Sequence, residues 1–218
     1  MTPARITSFL VKVASRCNLD CDYCYVYHHA DQSWRAMPKL LSAEDRSCFA
    51  TRLGAYTAQA EITHCAVVFH GGEPLLAGAD KLAAFAAQIR AATTAKVDVG
   101  LQTNGLLLDD AALDQLEAAD IGVSLSLDGP RAAQDKHRTT RKGRSSFDKV
   151  LAALERLKKR PGYLQASSPS SIPRPRRRIS SPSSTRIIRR ISISCYPTPT
   201  ICASRQAARS IPRSMSAG

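Results

Sequence analysis

Three cysteines fall within eight positions of one another in the stretch SRCNLDCDYCYVYHH (15–29): Cys17, Cys21 and Cys24. An odd number of thiols cannot pair off as disulfides, and three alone do not close a tetrahedral metal site. A C-x3-C-x2-C loop can wrap three corners of a cubane [4Fe-4S] cluster and leave the fourth iron open to a small chelating molecule. A second reading adds His28, because C-x3-C-x2-C-x3-H is a legitimate zinc set. A third has three unrelated buried thiols. Cys48 and Cys65 lie inside apolar-patterned segments and read as small core residues.

The elements around the loop follow a regular alternation. ITSFLVKVA (6–14) alternates as a strand and runs straight into the cysteines. A capping serine and acids open a helix over 42–61, and the apolar run HCAVVFH (64–70) stops at two glycines as a buried strand would. An alanine-rich helix (80–94), a strand ending in Asn-Gly (96–105), a helix (109–120), a strand (121–130) and a helix (146–160) follow. This order predicts an α/β fold of about four βα units, with a parallel sheet and right-handed crossovers. Chemistry in such folds collects at the carboxyl ends of the strands. Those ends read SRCNLDCDYC, HGGEP, LQTNG and SLDGP, which is more polar and glycine-rich material than structural turns need.

The net charge of +13 divides unevenly along the 218 residues. Of 31 Lys+Arg and 18 Asp+Glu, the stretch 165–218 holds 10 Arg and no acid, leaving only +3 on residues 1–164. That stretch also carries 14 Ser and 7 Pro. Two domains of composition are therefore expected: 1–164 as a folded α/β part, half a barrel or the larger part of an open sheet, and 165–218 as a disordered Ser/Pro/Arg-rich tail. An Arg-rich tail could bind nucleic acid by counterion release. The favoured reading is instead a coding frame lost near residue 165. Serine TCN codons moved back one base become NTC, which specify only Phe, Leu, Ile or Val, so ASSPSSIP would become a strand-like apolar run. Nucleic acid is accordingly not expected as a partner.

No run approaches the roughly eighteen apolar residues of a membrane span, and MTPARITSFLVKVASR lacks a signal peptide's apolar segment, so a cytoplasmic setting is expected.

With these residues in view, the sequence resembles the radical S-adenosylmethionine (SAM) enzymes. The shared marks are the cysteine loop with Tyr23 before its third cysteine, then GGEP (71–74), TNG (103–105), SLDGP (126–130), DKHR (135–138) and GRSSFDKV (143–150). The set is similar to the SPASM-type branch, which includes anaerobic sulfatase maturases and cyclophane-forming peptide maturases of the FxsB type. The resemblance implies a partial radical SAM (β/α) barrel. Cys17, Cys21 and Cys24 would hold a [4Fe-4S] cluster, and SAM would be cleaved reductively to an adenosyl radical. Gly71, Gly72 and Glu73 would meet the amino end of SAM, Ser126 and Arg138 its carboxylate and ribose, and Tyr23 the region of its adenine. Asn104 would also touch SAM, and His70 stands where the branch often has glutamine. The implied partners are a precursor peptide, whose side chains would be crosslinked, and an electron donor such as a flavodoxin or ferredoxin. Formylglycine formation is the alternative within the family; a zinc-binding or nucleic-acid-binding protein is the alternative outside it. With the frame lost, the chain as written is expected to be impaired.

Overall fold

The computed structural model describes residues 5–160. The expectations for the tail, out-of-frame or nucleic-acid-binding, lie outside these residues, as do the last positions of the barrel part.

Four strands, β1 (Ser8–Ala14), β2 (His64–Gly71), β3 (Lys96–Thr103) and β4 (Ile121–Leu125), form one parallel sheet in sequence order. Helices α1 (Ala43–Gln59), α2 (Ala79–Ala91) and α3 (Asp110–Ala118) connect them, and α4 (Arg131–His137) and α5 (Phe147–Lys158) follow β4. The α/β alternation expected from the sequence is present. A consecutive strand order is what closing a barrel requires, because each crossover must advance the sheet by one strand in the same direction. No helix among the described residues is long and apolar enough to cross a membrane.

Local chemistry starts the helices where the sequence placed them. The Ser42 hydroxyl accepts from the Asp45 N–H at 3.0 Å, and the Asp109 carboxylate from the Ala112 N–H at 2.8 Å. The helices then cover one face of the sheet. Val67, Phe69, Val99, Leu101, Ile121 and Val123 from the strands share a buried cluster with Leu53, Phe85, Ile89, Leu113 and Val150 from the helices. Phe69 stacks on Phe85 with ring centroids 5.2 Å apart.

The opposite face carries a different set in registered rows. Leu10, Val68, Gly100 and Gly122 align across the four strands, and Leu10 is 43% exposed. One step toward the carboxyl edge, Lys12 pairs with His70 and Gln102 with Ser124. This polar, glycine-bearing face leads directly into the strand-end loops.

Two expectations need correction. Cys48 is exposed, whereas Cys65 is buried as expected. The buried stripe of α1 runs through Ala50, Leu53, Gly54 and Thr57, and a helical turn places Cys48 on the far side of it. The fourth strand ends at Leu125 instead of continuing to 130. Ser126 still donates its N–H to the Thr103 carbonyl at 2.9 Å, but Gly129 then adopts φ +105 and turns the chain into α4, an element not anticipated.

Removing the larger part of the Phe69–Phe85 stack tests where the core lies. Phe85→Ala is expected to cost about 3–5 kcal/mol, read as a lowered urea midpoint with an unchanged m-value.

Candidate functional site

The carboxyl edge of the sheet is built from loops that hold one another. After β1, the chain passes through Arg16, whose guanidinium donates to the Trp34 carbonyl (2.7 Å) and the Arg35 carbonyl (3.1 Å) and so fastens the following loop. The cysteine loop then turns tightly, with the Cys24 N–H on the Cys21 carbonyl (3.0 Å) and the His28 N–H on the Cys24 carbonyl (2.9 Å). Its outer side is pinned by the end of α4 and the residues after it: Asp20 N–H donates to the Thr139 carbonyl at 2.8 Å, Asp22 N–H to the His137 carbonyl at 3.2 Å, and the His137 ring pairs with the Asp22 carboxylate at 2.8 Å.

The two glycines after β2 are required by close approach. A Cβ on Gly71, at φ +143, would strike the Ala14 carbonyl, and one on Gly72 would strike the Arg16 carbonyl and the Tyr27 hydroxyl. Gly72 N–H donates to Ala14 and Glu73 N–H to Arg16, each at 2.9 Å, so GGEP runs pressed against the start of the cysteine loop.

Glu73 turns inward. It is 1% exposed and its carboxylate accepts three bonds within the chain. The Leu75 N–H (3.0 Å) and Thr103 hydroxyl (2.7 Å) reach Oε1, and the Asn104 N–H (2.8 Å) reaches Oε2. Burial pushes its carboxyl above the usual carboxylate range, and these three donors oppose that shift. Its contacts thus join the end of β2 to the TNG turn.

Asn104, 5% exposed, also turns inward. Its Nδ2 donates to Asn18 Oδ1 at 2.7 Å and lies 3.6 Å from Cys17 Sγ, while its Oδ1 accepts from the Leu106 N–H at 3.0 Å.

On the β4 side, Tyr23 reaches across the site. Its hydroxyl donates to Asp128 at 2.6 Å and accepts from Arg138 at 2.9 Å, and Arg138 lies 3.5 Å from the same carboxylate. Arg138 is held from behind by Gln134, which carried no sequence signal, and by Ser146 of the GRSSFDKV stretch. The fully buried Gln134 links the Asp128 N–H (3.1 Å) to the Ser146 hydroxyl (2.9 Å), which donates to the Arg138 carbonyl (2.6 Å). Ser146 precedes α5, but its side chain makes no capping bond. Ser126 accepts from the Gln102 amide at 2.8 Å.

One pocket at this edge is lined by Cys17, Cys21, Tyr23, Cys24, Gly71, Gly72, Asn104, Ser126 and Arg138, so nine of the ten expected residues meet there and Glu73 stands behind them. His70 lines it as well. Burial pushes the thiols of Cys17 and Cys21 up to about 11, with the Arg138 charge partly opposing this at Cys21. Two buried side-chain atoms have no hydrogen-bond partner among the described residues: Arg138 Nε and His70 Nδ1. Buried polar groups are normally satisfied, so each suits a ligand with polar atoms. Among the described residues, no three His, Cys, Asp or Glu side chains converge to hold a single ion. His28 instead pairs with Asp20 at 3.0 Å.

Three thiols on the first loop, facing glycine-rich strand ends and an arginine, define a cofactor-binding α/β protein. The chain belongs to the radical SAM superfamily, whose family model matches residues 11–162. It is 32% identical to the cysteine-type anaerobic sulfatase-maturating enzyme of Clostridium perfringens (strain 13 / Type A), over 70% of this chain and 41% of that enzyme. It is likewise 32% identical to the serine-type anaerobic sulfatase-maturating enzyme of Klebsiella aerogenes, over 72% of this chain and 38% of that one. The solved structure of native anSMEcpe with bound AdoMet and Kp18Cys peptide superposes with a TM-score of 0.60 at 32% identity, covering 70% of this chain and 40% of that one. The chain thus spans about two-fifths of the length of these relatives. Enzymes of this superfamily use a [4Fe-4S] cluster and SAM.

Glu73→Ala strips the acceptor from three donors. The chain without any ligand is expected to lose on the order of 3 kcal/mol, measured by urea unfolding. Unchanged stability with weakened SAM binding would instead return Glu73 to the ligand.

Proposed function

We propose that Cys17, Cys21 and Cys24 hold a [4Fe-4S] cluster beside a bound SAM, and that the pair serves modification of a ribosomally made peptide. The observation that carries this is the meeting of four strand-end motifs in one pocket with two unpartnered buried nitrogens. The donor set fits the cofactors. Three thiols on one turn suit three irons of a cubane and leave the fourth open, and metal binding would draw the buried thiols into their thiolate form. The Arg138 guanidinium, with Nε free, suits the SAM carboxylate, and Ser126 adds a hydroxyl. Gly71 and Gly72 bring backbone within reach of the amino end, while Glu73 acts by holding that backbone in place. Tyr23 contributes toward the adenine. When bound, the cluster and SAM supply one-electron chemistry that removes a substrate hydrogen. The protein's own task is to fix both partners and exclude water, with an electron delivered by a flavodoxin- or ferredoxin-type donor.

The finer reading is crosslinking between side chains of a precursor peptide. A second is formylglycine formation, favoured by the names of the sulfatase-maturating relatives. The two products separate by mass spectrometry: a crosslink suppresses backbone fragmentation between the joined residues, whereas formylglycine is captured by an aldehyde reagent.

Anaerobic reconstitution is expected to load about four iron and four sulfide per chain, abolished in the Cys17→Ala/Cys21→Ala/Cys24→Ala triple variant. Stoichiometric zinc without sulfide would overturn the cluster. Arg138→Ala should leave iron content alone and weaken SAM binding by about 1.5–3 kcal/mol, measured by equilibrium dialysis; parental affinity would remove Arg138 from the ligand set.

A further inference from the structure

The orientation of the Asn104 amide is fixed by its surroundings. Its backbone N–H is held by the Glu73 carboxylate at 2.8 Å. Its Oδ1 must face the Leu106 N–H, 3.0 Å away, because only an oxygen can accept there. The NH2 group is thereby aimed at the cysteine loop, with Asn18 Oδ1 at 2.7 Å and Cys17 Sγ at 3.6 Å. The Leu19 N–H lies 3.4 Å from the same sulfur. Cys17 thus collects two N–H donors, one from its own loop and one from the end of β3.

We infer that Asn104 is a positioning residue that donates an N–H···S hydrogen bond to Cys17 and raises the reduction potential of the cluster bound there. The inference rests on the cluster proposed above. Reduction adds negative charge that spreads onto the sulfurs, and a donor at a ligating sulfur stabilises the reduced form more than the oxidised one. One residue therefore ties the TNG turn to GGEP by its backbone and to the cluster loop by its side chain.

Asn104→Asp separates this electrostatic role from a structural one. The new carboxylate keeps an oxygen for the Leu106 N–H, and Asn18 can turn its own amide to donate to it. Only the N–H at Cys17 is lost, replaced by negative charge. In the full chain reconstituted without oxygen, the variant is expected to keep its iron and sulfide while its cluster midpoint, from an EPR-monitored titration, moves to more negative potential. A second measurement needs no variant: the parent chain labelled with side-chain 15N-asparagine should show a coupled 15N in the pulsed EPR spectrum of the reduced cluster, and should keep it in Asn18→Ala. A loaded Asn104→Asp chain with the parental midpoint, or a reduced cluster with no 15N coupling, overturns the inference and leaves the cluster standing. Failure of the parent chain to take up iron and sulfide overturns the cluster and this inference together.

Discussion

The carboxyl edge of this sheet depends on the buried Glu73 carboxylate. It lies 1% exposed with three donors converging on two oxygens. An ionised group in such a place is costly unless each lone pair is used, and here the donors come from two different strand ends. The carboxylate therefore sets the distance between the GGEP and TNG segments. Because Glu73 N–H also bonds the Arg16 carbonyl, the same residue reaches back to the cysteine loop. Three loops far apart in sequence share one anchor, so their polar ends meet in the pocket without a common backbone element.

A second constraint works from the opposite side. Tyr23, Asp128 and Arg138 form a closed set of contacts, and Gln134 and Ser146 hold the backbone that carries Arg138. The cysteine loop is pinned between this set and the GGEP–TNG side. Within that frame the sheet divides its labour by the alternation of side chains along each strand. One set of residues enters the helix-covered core, and the other leaves glycines, Lys12, His70 and Gln102 on the uncovered face beside the pocket.

Much of the fold was legible. The capping Ser42, period-two strands and glycine-ended runs located the elements to within a few residues, because each signal is local: a cap is one side chain and one nearby N–H. The misses were places where a distant contact overrode a local pattern. Cys48 sits in an apolar-looking segment, but only the packing direction of α1 decides which stripe is buried. The end of β4 and the short helix after it follow from Gly129 and the Gln134 network, whose partners lie up to twelve residues away in sequence.

The sequence alone determined the chemistry on offer: three thiols at a spacing one turn can gather, and polar glycine-rich ends on successive strands. Those are properties of residue type and order, so no coordinates were needed to read them. Only the tertiary structure decided which polar group faces the pocket and which supports it. Glu73 looks like a pocket residue in a one-dimensional motif, yet its carboxylate is buried on Thr103 and Asn104, while Asn104 lines the pocket with its amide held to Asn18 and Cys17. The reason is geometric. Hydrogen-bond partners separated by thirty to ninety positions leave no periodic trace in a chain, and only the closing of the sheet edge brings them within 4 Å.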